Sequence, residues 1–275
     1  MYQILSKRRL AENVTEYVIH APMVPPHAAP GQFVIVRIGE NGERVPFTIV
    51  DTDRDKGTVT LLVQEVGYTT KKMALIPAGG ALQDVVGPLG SATRLEGKKI
   101  CLVAGGIGAA VVYPQAKALF AQGRAADVIV GARNTGLLMY ADELSKVCRG
   151  LFIITDDGSS GRKGFVTDVL TEKLNDGAGY DEVFAVGPMP MMRAVCRVTE
   201  NKVKTVVSMN CIMVDGTGMC GGCRLTVGGG TVYACVDGPE FDGHAVDWDA
   251  AIARLSLYKE QERAHLCRLT GEVRE

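Results

Sequence analysis

Net charge is nearly absent from this chain: 30 lysines and arginines stand against 31 aspartates and glutamates over 275 residues. That balance leaves no electrostatic footprint for nucleic acid or a membrane surface. Long apolar runs are missing as well, and none approaches the roughly 20 residues that span a bilayer. The opening MYQILSKRRLAENV lacks the apolar stretch of a secretory signal. The four histidines, His20, His27, His244 and His265, show no nucleophile or metal spacing, and no residue is assigned a catalytic acid–base role. A cytoplasmic protein is expected, in which eight cysteines read as reduced thiols and metal ligands, not disulfides.

What is present gathers between Met213 and Pro239. Cys220 and Cys223 form a Cys-x-x-Cys pair, and eleven residues separate Cys223 from Cys235. Arg224–Val227 and Thr231–Ala234 flank Gly228-Gly229-Gly230, a hairpin pattern that folds Cys235 back onto the loop. Gly216, Gly218, Gly221 and Gly222 let the backbone curl around a bulky group. Three thiols on such a loop suit an iron–sulfur cluster short of one ligand. Plant-type spacing, counted back from Cys220, puts the missing ligand at Asp215, with Cys211 as the reserve. A carboxylate is a harder ligand than thiolate and should change the cluster's potential. Taken alone, the same cysteines also fit a tetrahedral zinc site or three ordinary thiols near a turn. Cys101, Cys148, Cys196 and Cys267 lie in apolar sequence and are expected in the core.

The length allows two or three modules, and the apolar share of 47% and charged share of 22% are ordinary for a globular protein. Up to about residue 95, short strand patterns at Thr15–Ile19, Phe33–Ile38, Val45–Val50 and Thr58–Val66 predict a small antiparallel barrel. From Lys98 the period changes. Ile100–Ala104 runs into Gly105-Gly106-Ile107-Gly108 and a helix to about Gln122. Strands at Asp127–Arg133, Leu151–Thr155 and Glu182–Gly187 alternate with helices at Met139–Val147, Val166–Leu174 and Met189–Thr199. That alternation predicts a doubly wound parallel sheet, whose glycine turn is where a pyrophosphate rests on helix amides. Arg133, Asp156 and Gly187 fall at the strand ends on the same edge. Asp247 or Asp249 is expected to cap a last helix running to about His265, which either packs on its own domain or docks a partner.

Arg-x-Pro-Phe-Thr in a barrel, then Gly-Gly-x-Gly and Gly-Pro-x-x-Met-Met in an α/β unit, then the cysteine loop: this order resembles the ferredoxin–NADP⁺ reductase superfamily. Within it the chain is similar to the electron-transfer subunits of dihydroorotate dehydrogenase B. It is more similar to the small subunits of NADH-dependent reduced ferredoxin:NADP⁺ oxidoreductases, also known as sulfide dehydrogenases, which share aspartate at the Asp215 position. The resemblance implies an FAD-binding β-barrel over 1–96, an NAD(P)-binding α/β domain over 97–205, a [2Fe-2S] segment over 206–245 and a C-terminal helix over 246–275. It further implies that Arg44 pairs with the FAD pyrophosphate and Phe47 packs on the isoalloxazine. Thr48 bonds near the ring beside Pro46, while Gly31, Gln32, Gly67 and Thr70 approach the cofactor. Gly105, Gly106 and Gly108 line an NAD(H) site, with Arg133, Asp156 and Gly187 nearby; Arg133 on a 2′-phosphate makes NADP(H) the other possibility. Asp215, Cys220, Cys223 and Cys235 carry over as cluster ligands.

The implied function is electron transfer among NAD(H), FAD and the cluster to a larger flavin and iron–sulfur catalytic subunit, and through that heterodimer to ferredoxin. Nicotinamide handles a hydride and the cluster single electrons, and flavin converts between them. A dihydroorotate dehydrogenase B role is the alternative within enzymes. Hydrogenase or sulfite reductase subunits of the same architecture differ only by partner. A zinc-binding or nucleotide-sensing interaction module is the alternative outside enzymes.

Overall fold

The computed structural model describes residues 1–270; positions 271–275 of the expected C-terminal segment lie outside the described residues. The first part contains β1 (Tyr2–Ala11), β2 (Val14–His20), β3 (Phe33–Arg37), β4 (Arg44–Asp53), β5 (Thr58–Gln64), α1 (Tyr68–Ala74), β6 (Ala81–Leu82) and β7 (Asp84–Leu89). The seven strands pair antiparallel in the order β6-β1-β2-β5-β4-β3-β7. The edge strands β6 and β7 are joined through Gln83 alone, whose N–H donates to the Arg37 carbonyl at 2.9 Å. The sheet therefore curls until its edges nearly meet, and Ile4, Tyr17, Val34, Val36, Ile49 and Leu61 fill the interior. Strand β1 escaped the apolar pattern because only its Ile4 and Ala11 are fully buried.

The second part runs through β8 (Ile100–Gly105), α2 (Gly108–Ala121), β9 (Asp127–Ala132), α3 (Ala141–Ser145), β10 (Gly150–Thr155), β11 (Arg162–Lys163), α4 (Val166–Asn175), β12 (Glu182–Val186), α5 (Met189–Thr199) and β13 (Lys204–Ser208). A hairpin, β14 (Arg224–Val227) and β15 (Gly230–Tyr233), follows, then β16 (Glu240–Asp242), α6 (Trp248–Arg254) and α7 (Lys259–Thr270). The hairpin turn is Gly228-Gly229, both at positive φ, as a two-residue connection with matching twist requires.

The second sheet has the order β11-β10-β9-β8-β12-β13-β16 and is parallel except for its last pair. Strand β8 is buried along its whole length, as befits a central parallel strand covered on both faces. From β8 the chain winds outward through β9 and β10, then returns to the other side at β12. The topological switch point thus lies between β8 and β12, where open α/β sheets bind ligands at the strand C-termini. Phe33 and Ile35 of the barrel share a core cluster with Val103, Met213 and Cys223, which fastens barrel, sheet and cysteine loop together.

Two expectations are corrected. The single C-terminal helix is two, α6 and α7, and the residues between them include Leu257 and Tyr258, both more than half exposed. Asp247 does cap α6, accepting from the Ala250 N–H at 3.0 Å. Of the four cysteines expected in the core, Cys101 and Cys196 are buried, whereas Cys148 and Cys267 are half-buried.

Candidate functional site

Gly105 ends β8 and Gly187 follows β12, so the switch point is flanked by glycine on both sides. The two backbones approach until a Cβ on Gly187 would lie 3.1 Å from the Gly105 Cα. A Cβ on Gly108 would run into the Val186 carbonyl, while the space beside Gly106 is open. Close approach of this kind brings the N-terminus of α2 to a crevice suited to a pyrophosphate, where the Ala109 and Ala110 N–H groups donate to the Gly106 and Ile107 carbonyls at 3.2 and 3.0 Å. Arg133 and Asp156 stand exposed on the same edge, with the Asp156 N–H donating to Ala132 at 3.0 Å and the Asp157 N–H to Arg133 at 3.3 Å. Ser159 ties the two loops together: its hydroxyl accepts from the Thr135 N–H at 2.8 Å, and its N–H donates to Asp157 at 2.9 Å. Those bonds from Ser159 hold the Asp157 carboxyl below its usual range.

The barrel contributes one face of β4. Side chains alternate along a strand, so Arg44, Pro46 and Thr48 point one way and Val45, Phe47 and Ile49 the other. Register decides which way is inward. Phe47 pairs with Val34 of the barrel interior, whereas Pro46 pairs with Ile35 and Thr48 with Phe33, which belong to the outer cluster. Phe47 is half-buried, with its buried side packed against the barrel core. The outward face carries two groups without a partner among the described residues, the Arg44 guanidinium and the Thr48 hydroxyl. Arg37, opposite Arg44, is neutralised by Asp84 at 2.6 Å. An exposed cation beside an already satisfied one fits a phosphate-bearing group.

Three other sequence-predicted residues hold turns in place. Gln32 accepts from the Ala29 N–H at 2.9 Å and donates to the Gly90 carbonyl at 2.8 Å, closing the turn ahead of β3. Thr70 Oγ1 accepts from the Val66 and Gly67 N–H groups, each at 3.0 Å, shaping the entry to α1. Gly31 lies where any side chain would meet Thr93 and Glu240. A cavity of about 240 Å³ next to Arg44 is lined by Glu43, Tyr68, Thr69, Lys72 and His265, none of them assigned a cofactor-binding role from sequence. His265 sits edge-on to Tyr68 at 5.9 Å and 3.5 Å from Glu43; no local pattern signals a contact made by α7.

In the cysteine loop, Cys223 and Cys235 are buried with their sulfurs 3.2 Å apart, and Cys220 is exposed on the turn between them and solvent. Backbone N–H groups aim at sulfur: Gly222 at Cys220 and Cys235 at Cys223, each at 3.4 Å. Asp215 accepts from the N–H of Thr217 at 2.9 Å and of Cys220 at 2.7 Å. Those bonds, Thr217's foremost, hold its carboxyl below the usual range. Cys211 is half-buried on the Cys223 and Cys235 side, and burial pushes its thiol up to about 12. Among the described residues no three such side chains converge on one point. Three thiols, one ionised carboxylate and N–H donors to sulfur nevertheless make a donor set that fits an iron–sulfur cluster. Gly216, at φ +77°, packs so tightly that a Cβ would lie 2.7 Å from both Ile35 and Leu89, which brings the loop against the outward face of the barrel.

Residues 210–247 match the iron-sulfur cluster binding domain of dihydroorotate dehydrogenase B, and residues 102–197 match the oxidoreductase NAD-binding domain. The chain is 45% identical over 263 residues to the dihydroorotate dehydrogenase B (NAD(+)) electron transfer subunit homolog of Thermotoga maritima, covering 95% of this chain and 93% of that one. It is 31% identical to the electron transfer subunit of Bacillus cereus, covering 86% and 94%. Its fold matches a chain of the NADH-dependent reduced ferredoxin-NADP oxidoreductase structure, a system of flavin-based electron bifurcation, with a TM-score of 0.92 and 42% identity over 98% of both chains.

Proposed function

The chain belongs to the family of dihydroorotate dehydrogenase B electron-transfer subunits and their homologs, and from that premise we propose that it carries electrons between NAD(H) and a larger flavin and iron–sulfur catalytic subunit. It is an oxidoreductase subunit with NAD-binding and iron–sulfur-binding domains. The observation that carries the reading is the line of contact from Pro46 and Thr48 on the outer barrel face, through Ile35 on one side and Phe33 and its partner Leu89 on the other, to Gly216 of the cysteine loop.

Arg44 supplies the cation for the FAD pyrophosphate, with Pro46 and Thr48 along the same face and Gly31, Gln32, Gly67 and Thr70 shaping the turns around it. Gly105, Gly106, Gly108 and Gly187 form the NAD(H) crevice, flanked by Arg133 and Asp156. The acidic pair Asp156 and Asp157 on that edge disfavours a 2′-phosphate, which supports NAD(H) over NADP(H). Asp215, Cys220, Cys223 and Cys235 hold the [2Fe-2S] centre. When bound, flavin exchanges electrons in pairs or singly and the cluster takes one at a time; the residues orient these groups and exclude water between them. The partner reached from the exposed Cys220 turn is a larger flavoprotein subunit, with ferredoxin served through that complex. No helix among the described residues is long and apolar enough to cross a membrane, and the reduced thiols the site requires fit a cytoplasmic setting.

The test is an anaerobic absorption spectrum before and after NADH. Flavin bands with a broad iron–sulfur shoulder, both bleached by NADH, are expected. A colourless protein that stays colourless after reconstitution with FAD, iron and sulfide sinks the reading.

A further inference from the structure

Helix α6 carries a cation that the reading above leaves unexplained. The helix is fixed at its start by the Asp247 cap and by Trp248, whose indole N–H donates to the Gly243 carbonyl at 3.0 Å. It is held on its flank by Arg193, 2.8 Å from Asp249. From its last turn Arg254, half-buried, donates through Nη2 to the Gly222 carbonyl at 3.1 Å. Gly222 lies inside the Cys220-x-x-Cys223 turn. Arg254 makes no ion pair among the described residues, and the cavity it lines with Cys211, Gly222 and Leu225 measures about 10 Å³, room for one water at most. The guanidinium is therefore packed against the cysteine loop itself.

We propose that Arg254 is a positioning residue for the cluster turn, which it grips through the Gly222 carbonyl, and the resident positive charge that raises the cluster's reduction potential. This inference rests on the cluster reading of the loop. A half-buried cation without a carboxylate is unfavourable unless an acceptor or a negative group compensates it. Here the compensation comes from the Gly222 carbonyl and from the anionic ligand set, with Cys220 two residues before Gly222 and Cys223 next to it. Such a set is net negative around its iron, and reduction deepens that charge, so a nearby fixed cation favours the reduced form. Net charge and hydrogen bonding are the terms that tune these potentials. The arrangement also makes the C-terminal helices part of the redox site, since α6 delivers the charge from outside the cysteine segment.

The experiment compares wild type, Arg254→Met, Arg254→Gln and Arg254→Lys by iron and sulfide content, by the electron paramagnetic resonance signal of the dithionite-reduced protein, and by a potentiometric titration of that signal. Expected is a cluster in all four, with the potential of R254M and R254Q shifted negative by about tenfold in the one-electron equilibrium constant, ~59 mV, and R254K between them and wild type. Loss of the cluster in R254M that Lys restores also supports the assignment. Equal potentials and signal shapes in all four overturn it, as does loss of the cluster in R254K to the same degree as in R254M. Wild type without iron or signal refutes the cluster reading itself, which separates the two failures.

Discussion

Gly216 of the cysteine loop and Ile35 of the barrel are locked at a distance that admits no side chain: a Cβ at Gly216 would lie 2.7 Å from Ile35 Cδ1. The contact joins two segments about 180 residues apart in sequence, and with the equally close Leu89 it seats the cysteine loop on the barrel's outward face. Gly216→Val is expected to force the loop off the barrel through both the clash and the positive φ, destabilising the protein by roughly 1–3 kcal/mol. Urea unfolding gives the first number, and the rate at which NADH bleaches the iron–sulfur shoulder gives the second readout. Unchanged stability together with unchanged bleaching would show that the contact does not matter.

The two faces of β4 separate cofactor binding from barrel packing. Arg44→Met removes an unpaired guanidinium from the outward face. A charge-assisted bond is worth about 1.5–3 kcal/mol, so FAD should bind on the order of 10- to 100-fold more weakly. Phe47→Leu touches the inward side, where exchanging one large apolar side chain for another of nearly conserved volume costs up to about 1.5 kcal/mol of stability and should leave FAD affinity nearly unchanged. Equilibrium dialysis of FAD against each variant checks both. A loss of affinity in F47L equal to that in R44M would return the phenylalanine to the flavin.

How much of this was legible beforehand depends on how local each signal is. The glycine turn after β8, the Gly228-Gly229 hairpin and the Asp247 cap are written into a few adjacent residues, and the structure has each in place. The direction of Phe47 was not legible, because it depends on register with Val34 across the sheet. Strand β1 was hidden by charges on its exposed side, and the break between α6 and α7 by apolar Leu257 and Tyr258, which imitate a buried helix face yet point to solvent. Arg254 on Gly222 and Glu240 on Thr93 join positions far apart in sequence, and nothing within either segment announces them.

The fourth ligand is decided by exchange. With both oxygens of Asp215 accepting from the loop's own N–H groups, Asp215→Ala should loosen the Cys220 turn and cost most of the bound iron. Asp215→Cys should retain it at a more negative potential, because thiolate donates more strongly than carboxylate. Cys211→Ser should keep both iron and potential. Iron content and the reduced-state resonance signal check all three. A D215A protein with full iron and an unaltered signal, beside a C211S protein without either, would hand the role to Cys211.

Glu240 gives the fold a pH dependence of definite sign. It sits between the two sheets, its carboxyl 2.5 Å from the Thr93 hydroxyl, which Gln115 also reaches at 3.1 Å. Burial, reinforced by Glu182, pushes its pKa up to about 7 from an ordinary value of 4.5. The folded protein thus holds a proton that the unfolded chain releases near its ordinary value. The stabilising contribution is complete below that value, falls as pH rises through the interval, and is gone above the folded pKa of about 7. The full swing is on the order of 3 kcal/mol. Glu240→Gln keeps a neutral hydrogen-bonding side chain and cannot ionise, so its unfolding free energy should change less between pH 5 and pH 8, by about that amount. Thr93 and Glu240 lie beside Gly31, in the turn that leads into β3, so the barrel and the α/β domain should loosen there first as Glu240 ionises. Hydrogen exchange at the amides of 31–33 and 92–94, faster in wild type at pH 8 than at pH 5 after correction for intrinsic rates and level in E240Q, is the expected pattern; equal protection in both proteins would place the ionised carboxylate in the fold without cost.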